Sequence, residues 1–339
     1  MNLKTLAKTL GLSKTTVSRA LNGYPEVNEK TRQRVLAVAR DIGYRPNPSA
    51  RNLAIGRTNV IGIVYPMQPG DLGDAMFLDV VNGMTSRLAR ASMDLIIVPV
   101  TSPEKLDVYE HMVRDKRVDG LVVGRTRVHD ERIAYLARHG LPFIAYGRTQ
   151  IDQPYAWFDY DNEIGIRLAT EHLLSLGHRR IAYIGAPPEL NFAFQRVGSF
   201  LGTLRSAGID VNPAYLVNNA LSRREGYHAM QQLLACTPRP TAVLIDNHLA
   251  GAGAVFALQD ARVVIGSDLS LIVWGNMEDV LIGRKISSIT QPELNRAGVK
   301  IAEMMLALLD GASPSALREL WRPVFLIGET VGPPSEGAR

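Results

Sequence analysis

Residues 6–23 read LAKTLGLSKTTVSRALNG, and the fold of the chain's first part turns on this stretch. With Leu3 it places apolar residues at 3, 6, 7 and 10, the spacing of one helix face. Gly11-Leu12-Ser13 then interrupts that face, and a second, polar-faced helix is expected over Lys14 to Asn22. Small Ala7 lets two helices cross closely, Gly11 suits a tight turn, and Ser13 is placed to cap the second helix. This is helix-turn-helix spacing. Val17, Ala20 and Leu21 share one face of the second helix, and Lys14, Thr15, Ser18 and Arg19 share the other. A third helix is expected from its cap at Asn28 to the stop at Gly43.

Charge points the same way. Residues 1–57 carry eleven Lys or Arg against Glu26, Glu29 and Asp41, a net +8 in a chain whose formal total is +5. The other 282 residues therefore sum to −3, so the basicity is local and marks a nucleic-acid module rather than a generally basic protein. A three-helix bundle with a solvated basic face is the bland alternative, and the Ala7, Gly11, Val17 spacing argues against it.

Outward from this module, the 339 residues suffice for two or three domains, and 46% hydrophobic with 21% charged residues excludes disordered and fibrous classes. One cysteine, Cys236, cannot form an internal disulfide, and MNLKTLAKTL lacks a signal-peptide apolar core, so a cytoplasmic protein is expected. No apolar run approaches the roughly 18–20 residues of a membrane span.

Residues 47–56, NPSARNLAIG, would form at most about two helical turns. Isolated helices of that length are unstable in water, so this one should order only when something holds it. Together with LAKTLGLSKTTVSRALNG and VNEKTRQRVLAVARDIGYRPN, this segment resembles the LacI/GalR family of transcriptional regulators. The resemblance implies base reading by Lys14, Thr15 and Arg19, and phosphate contacts from Ser13, Thr16, Ser18, Asn22, Thr31, Tyr44 and Asn47. Arg19 has the clearest reading chemistry, since a guanidinium binds guanine through two hydrogen bonds. Leu53, flanked by Ala50 and Arg51, matches the leucine that a hinge helix wedges into the minor groove.

From Thr58 onward, β-rich runs such as NVIGIVY, DLIIVPV and DGLVVG alternate with amphipathic segments, and the alternation restarts at Asn162. This predicts an α/β fold of doubly wound parallel sheets in two lobes. The resemblance continues through FDYDNEIGIRLATEHLLSLGHRRIAYIG, TAVLIDNHLAGAGAV and SSITQPELNRAGVKIAEMMLALLDG, and implies a periplasmic-binding-protein-like core. The expected division is a DNA-binding domain at 1–46, a hinge helix at 47–57, one lobe from 58–160 with 290–322, a second from 161–289 with 323–332, and a disordered tail at 333–339. Crossings between lobes are expected near Trp157 to Asp161, Ser288 to Pro292 and Arg322 to Phe325. The tail lacks the leucine-heptad helix that some family members use to form tetramers, so a homodimer is expected.

Ligands of two-lobed α/β proteins bind at the carboxyl ends of the strands. By that rule and the resemblance, Phe77, Tyr160, Asp161, Arg196, Asn247, Trp274 and Asn276 are the candidate ligand residues. Aromatics beside Arg, Asp and Asn suit a carbohydrate, whose ring faces stack and whose hydroxyls need polar partners. Three departures from the family pattern remove expected carboxylates: Val273-Trp274-Gly275-Asn276, Asn247-His248 and Gly147-Arg148. A fourth puts Gly328 where an arginine is usual before Glu329-Thr330. A pocket so changed suits a larger glycoside.

The competing classes are an enzyme or an exported solute-binding protein on the same scaffold. GxGxxG, GxxxxGK[ST], HExxH and GxSxG are all missing, Cys236 has no neighbouring His, and the seven histidines lack metal-ligand spacing. No catalytic residue, metal or cofactor is expected. The expected function is a ligand-responsive regulator, a repressor of transcription, acting as a dimer on near-palindromic operator DNA.

Overall fold

The computed structural model describes residues 3–44, 57–66, 74–100, 106–275, 277 and 283–335. The chain forms two compact units, one of Met1–Asn59 with Lys116–Asp119, the other of Val60–Asp115 with Gly120–Arg339. The expected hinge helix, with Asn47, Ala50, Arg51 and Leu53, lies outside the described residues, as does Asn276.

The first unit holds α1 (Leu3–Leu10), α2 (Lys14–Leu21) and α3 (Glu29–Asp41). Gly11 takes a φ of +66° between α1 and α2, a left-handed turn that costs glycine little. Ser13 caps α2 by accepting from the Thr16 amide at 3.0 Å, and Asn28 caps α3 by accepting from Thr31 at 2.8 Å. Leu6, Ala7, Leu10, Val17, Ala20, Val27, Val35 and Ala39 are all buried in one core. The apolar spacing read from residues 3–21 is thus spent on packing three helices.

The second unit has two six-stranded sheets. The first runs β11-β5-β4-β3-β1-β2, with β1 at Val60–Pro66, β2 at Asp94–Val100, β3 at Gly120–Val123, β4 at Phe143–Tyr146, β5 at Ala156–Tyr160 and β11 at Arg318–Trp321. All its pairings are parallel. Its helices include α4 (Ala75–Ala89), α5 (Asp107–Arg114), α6 (Glu131–His139) and α11 (Leu294–Leu309). The second sheet runs β12-β10-β9-β8-β6-β7, with β6 at Ile181–Ile184, β7 at Leu216–Val217, β8 at Ala242–Ile245, β9 at Ser270–Trp274, β10 at Ser287–Thr290 and β12 at Val324–Leu326. Only β10 and β12 pair antiparallel. Its helices are α7 (Asn162–Ser175), α8 (Asn191–Ser206), α9 (Arg223–Leu234) and α10 (His248–Asp260). Strands buried on both faces, such as the fully buried β3, β6 and β8, are the mark of sheets covered by helices on each side.

The chain passes from the first sheet to the second between β5 and α7, back between β10 and α11, and over again between β11 and β12. The first passage is shorter than the stretch expected for it, because Trp157 to Tyr160 continue the first sheet and only Asp161 separates β5 from α7. The segment after β10 belongs to the first lobe because α11 packs on α4 at backbone contact. A Cβ on Gly83 would stand 1.9 Å from the Asn295 carbonyl oxygen, and one on Gly298 would stand 2.0 Å from that of Val80. In the second lobe α9 and α10 meet the same way, with a Cβ on Gly253 falling 1.8 Å from the Arg223 carbonyl oxygen.

Two glycine substitutions should therefore act in opposite directions. Gly253→Ala forces two helix backbones apart and should destabilise the core by about 1–3 kcal/mol. Gly202→Ala, on α8 with nothing within 4 Å of the added carbon, should stabilise it by about 0.5–1 kcal/mol through helix propensity. Thermal unfolding followed by circular dichroism measures both.

Candidate functional sites

On the first unit, packing of Val17 and Ala20 into the core turns the opposite face of α2 outward. Lys14, Thr15 and Arg19 are exposed there, with Ser13 exposed at the cap and Thr16, Ser18 and Asn22 half-buried beside them. Ser13 also bonds Thr16 through the two hydroxyls at 2.8 Å, and Asn22 Nδ2 donates to Ser18 Oγ at 3.5 Å. Thr31 stands in the first turn of α3, and Tyr44 just beyond its end; both are half-buried. The helix thus presents one long cation, one hydroxyl and one guanidinium outward, flanked by short polar groups. That set can read base edges with its long members and hold phosphates with its short ones.

In the second unit, a cavity of about 180 Å³ lies between the two lobes at the carboxyl ends of the strands. Arg196, on the first half of α8, is buried at 5% exposure. Its guanidinium carbon stands 3.5 Å from the centre of the Trp274 ring and 4.7 Å from that of Phe192. Nε donates to Asn162 Oδ1 at 2.8 Å, and Nη1 donates to the carbonyl oxygen of Asp246. Burial pulls its pKa down to about 10, against the attraction of nearby Asp246. That is still far above neutrality, so the cavity holds a cation at pH 7.

Asn162 relays this position to the other lobe. Its Nδ2 donates to Gln195 Oε1 at 3.0 Å and to Asp159 Oδ1 at 3.4 Å. Asp159, at the end of β5, accepts from Arg148 Nε at 2.8 Å, while Arg148 Nη2 reaches Gln195 at 3.4 Å. Burial raises the Asp159 pKa above its ordinary value, with Arg148 opposing. A third arginine, Arg125, lies 4.7 Å over the Tyr65 ring with φ at +47°, a strained conformation for a side-chain-bearing residue. Tyr65 in turn stacks on Phe77 at 4.1 Å.

Of the sequence-predicted ligand residues, Phe77, Tyr160, Arg196, Asn247 and Trp274 line this cavity. Asp161 does not: its carboxylate accepts from the Ile164 amide at 3.1 Å and caps α7. The carboxylate facing the cavity from this stretch is Asp159 instead. Asn247 lines the wall, yet its amide is committed, accepting from Ala250 as the cap of α10 and donating to Ala220 and Asp246. Trp274 is not an open stacking surface either. Arg196 covers one side of the indole, a Cβ on Gly165 would stand 2.6 Å from its edge, and only 3% of the residue is exposed. The sequence reading missed Asp74, Arg125, Asp159, Asn162 and Phe192. The position of Arg125 and Asp159 at strand ends is the signal that could have found them.

A helix-turn-helix headpiece joined to a two-lobed core with a polar cleft defines the class of ligand-responsive transcriptional regulators. Residues 2–47 match the profile of bacterial regulatory proteins of the lacI family, and residues 58–329 match that of periplasmic binding proteins and the sugar binding domain of the LacI family. The chain belongs to the LacI family. It is 37% identical over 337 residues to the HTH-type transcriptional regulator RafR of Escherichia coli, covering 99% of this chain and 100% of that one. A crystal structure of a putative transcriptional regulator from Yersinia pestis is 35% identical with a TM-score of 0.75, over 82% of this chain and 100% of that one. The lac repressor dimer bound to operator and the anti-inducer ONPF shares the fold at a TM-score of 0.80 and 24% identity, over 98% of this chain and 99% of that chain.

Among the described residues no helix is long and apolar enough to cross a membrane, and no three His, Cys, Asp or Glu stand where they could hold a metal ion.

The role of Asn162 is open to a direct check. Asn162→Leu removes the acceptor of Arg196 Nε and should cost about 1–3 kcal/mol of core stability, because it leaves buried polar groups unpaired. Asn162→Gln, which keeps both the amide oxygen for Arg196 and the amide donor for Asp159 and Gln195, should cost less in the same denaturant titration.

Proposed function

We propose that this regulator represses transcription as a homodimer on a near-palindromic operator and is controlled by a carbohydrate that binds in the cleft. The observation that carries the first half is the exposed Lys14, Thr15 and Arg19 face of α2, held outward by its buried opposite face. In this reading the two α2 helices of a dimer enter successive major grooves. Lys14, Thr15 and Arg19 read bases, while Ser13, Thr16, Ser18, Asn22, Thr31, Tyr44 and Asn47 hold phosphates. Leu53, with Ala50 and Arg51, supplies the minor-groove wedge of a hinge helix at 47–57. The dimer on operator reported for the lac repressor supports the assembly by likeness of fold.

Support for a carbohydrate comes from the cavity walls and from the sugar binding domain to which residues 58–329 are similar. Arg196 offers a guanidinium edge to ring hydroxyls, Asp159 and Arg148 add polar atoms, and Phe192 adds an apolar face. Because Trp274 works through Arg196 and Asn247 is committed to capping, hydroxyl recognition falls mainly on the arginines and Asp159. Closure of the lobes over the sugar shifts the first lobe of each protomer, and the hinge helices gain or lose their pairing.

Operator affinity should fall steeply between 50 and 200 mM salt, since each protomer neutralises several phosphates. Against a duplex selected from a random library, Arg19→Ala should weaken binding by about 1–3 kcal/mol and relax the preference at one base pair per half-site. Fluorescence anisotropy measures both, and a flat salt response would contradict the DNA reading. For the effector, calorimetric titration with mono- and oligosaccharides should give saturable binding; a chain that binds only nucleobases or amino acids would overturn the carbohydrate reading.

A further inference from the structure

At the wall of this same cavity the two lobes also touch through a pair of side chains to which the carbohydrate reading gives no part. Asp74, the cap of α4 in the first lobe, accepts from the Met76 and Phe77 amides at 3.0 and 3.4 Å. Its Oδ1 also stands 3.2 Å from Nε2 of His248, the first residue of α10 in the second lobe. Both side chains are largely withdrawn from water, at 9% and 24% exposure. Burial alone would raise the Asp74 pKa, yet His248 and the two backbone amides outweigh it and hold the carboxyl below its ordinary value. The carboxylate therefore keeps its charge where it meets the imidazole.

The imidazole is held in a fitted slot. Gly275, just after β9, has a φ of +113°, and a Cβ there would stand 2.8 Å from His248 Cβ and 3.3 Å from Nδ1. Any other residue at 275 would displace the histidine from Asp74. Two of the departures noted in the sequence, His248 and Gly275, are thus one feature. A second contact between the same lobes lies nearby, where Val128 N donates to the Glu189 carbonyl and Asn191 N donates to that of Thr126, each at 2.9 Å. That clip is made by backbone groups, which substitution leaves in place. The Asp74–His248 pair is made by side chains, and evolution can tune it.

We propose that His248 and Asp74 form a latch that sets the balance between closed and open lobes, and that His248 is thereby a positioning residue for the effector. The latch rests on the cleft being the effector site, but its effect on closure does not need an effector. Closing the lobes brings Arg196 and Asp159, one from each lobe, to the same cavity. A chain that spends more time closed binds an effector more tightly by the ratio of closed populations.

The experiment uses the full chain in a Cys236→Ser background, with spin labels on Arg138→Cys in the first lobe and Arg224→Cys in the second. Labelled chain is diluted into an excess of unlabelled chain, and the label distance is read by pulsed electron resonance without sugar. His248→Asp sets two carboxylates against each other and should shift the distance to longer values. Adding Asp74→Asn, whose amide oxygen keeps the helix cap, removes one of the two opposed charges and should bring the distance back to the short value. His248→Ala should give a smaller lengthening and serves if the aspartate variant does not fold. An unchanged distance in His248→Asp, or in His248→Ala where that stands in, overturns the latch, as does a long distance that Asp74→Asn fails to recover. In calorimetry, the apparent sugar affinity should fall roughly tenfold in His248→Asp and recover in the double variant. If no sugar binds any form, the effector reading fails while the distances still decide the latch.

Discussion

A buried guanidinium without a carboxylate bonded to it is the constraint around which the cleft is built. Withdrawing a cation from water costs several kcal/mol unless other groups replace the lost hydration. For Arg196 the replacements are an amide oxygen, a backbone carbonyl and two aromatic faces, with the Asp246 charge acting through space. Each replacement fixes direction as well as energy. Trp274 must lie flat beneath the guanidinium, which requires Gly165 on α7 to leave room at the indole edge. Asn162 must turn its oxygen toward α8, which leaves its nitrogen for Gln195 and Asp159.

Those demands tie the lobes together. Asp159 and Arg148 belong to the first lobe and Gln195, Asn162 and Arg196 to the second, yet they form one continuous hydrogen-bonded chain. Polar networks of this kind have few satisfactory arrangements, so displacing one member strains the rest. The backbone clip between 126–128 and 189–191 and the Asp74–His248 pair add two more links across the same cleft. A ligand that changes any of these contacts therefore changes the relation of the lobes, which is what a regulator needs from its sensing domain.

The sequence spoke clearly where one physical demand dominates. In the headpiece, apolar spacing, a left-handed glycine and a hydroxyl cap each have one use, and all agree on a helix-turn-helix. Strand and helix alternation likewise named a two-lobed parallel α/β core. The cleft was legible only in part, because its polar residues have more than one use. Asp161 and Asn247 look like ligand groups in the sequence but satisfy helix N-termini, a demand that any buried helix start imposes. Trp274 looks like a sugar platform but supports a cation. Conversely, Asp74, which the sequence reading passed over, proves to be a helix cap that also reaches across to the other lobe. Burial and partners, which no spacing encodes, decide between such uses.

The linkage between cleft and operator can be measured on one variant. Arg196→Met keeps much of the volume and the apolar stem but removes the charge, and it lies far in sequence from the DNA-reading face. Operator affinity of this variant, with and without a saturating sugar identified on the wild type, is the decisive quantity. If the cleft controls the headpiece, the wild type changes its operator affinity with sugar, while Arg196→Met binds operator well and no longer responds. A variant that responds to the same sugar at the same concentration as the wild type would contradict it.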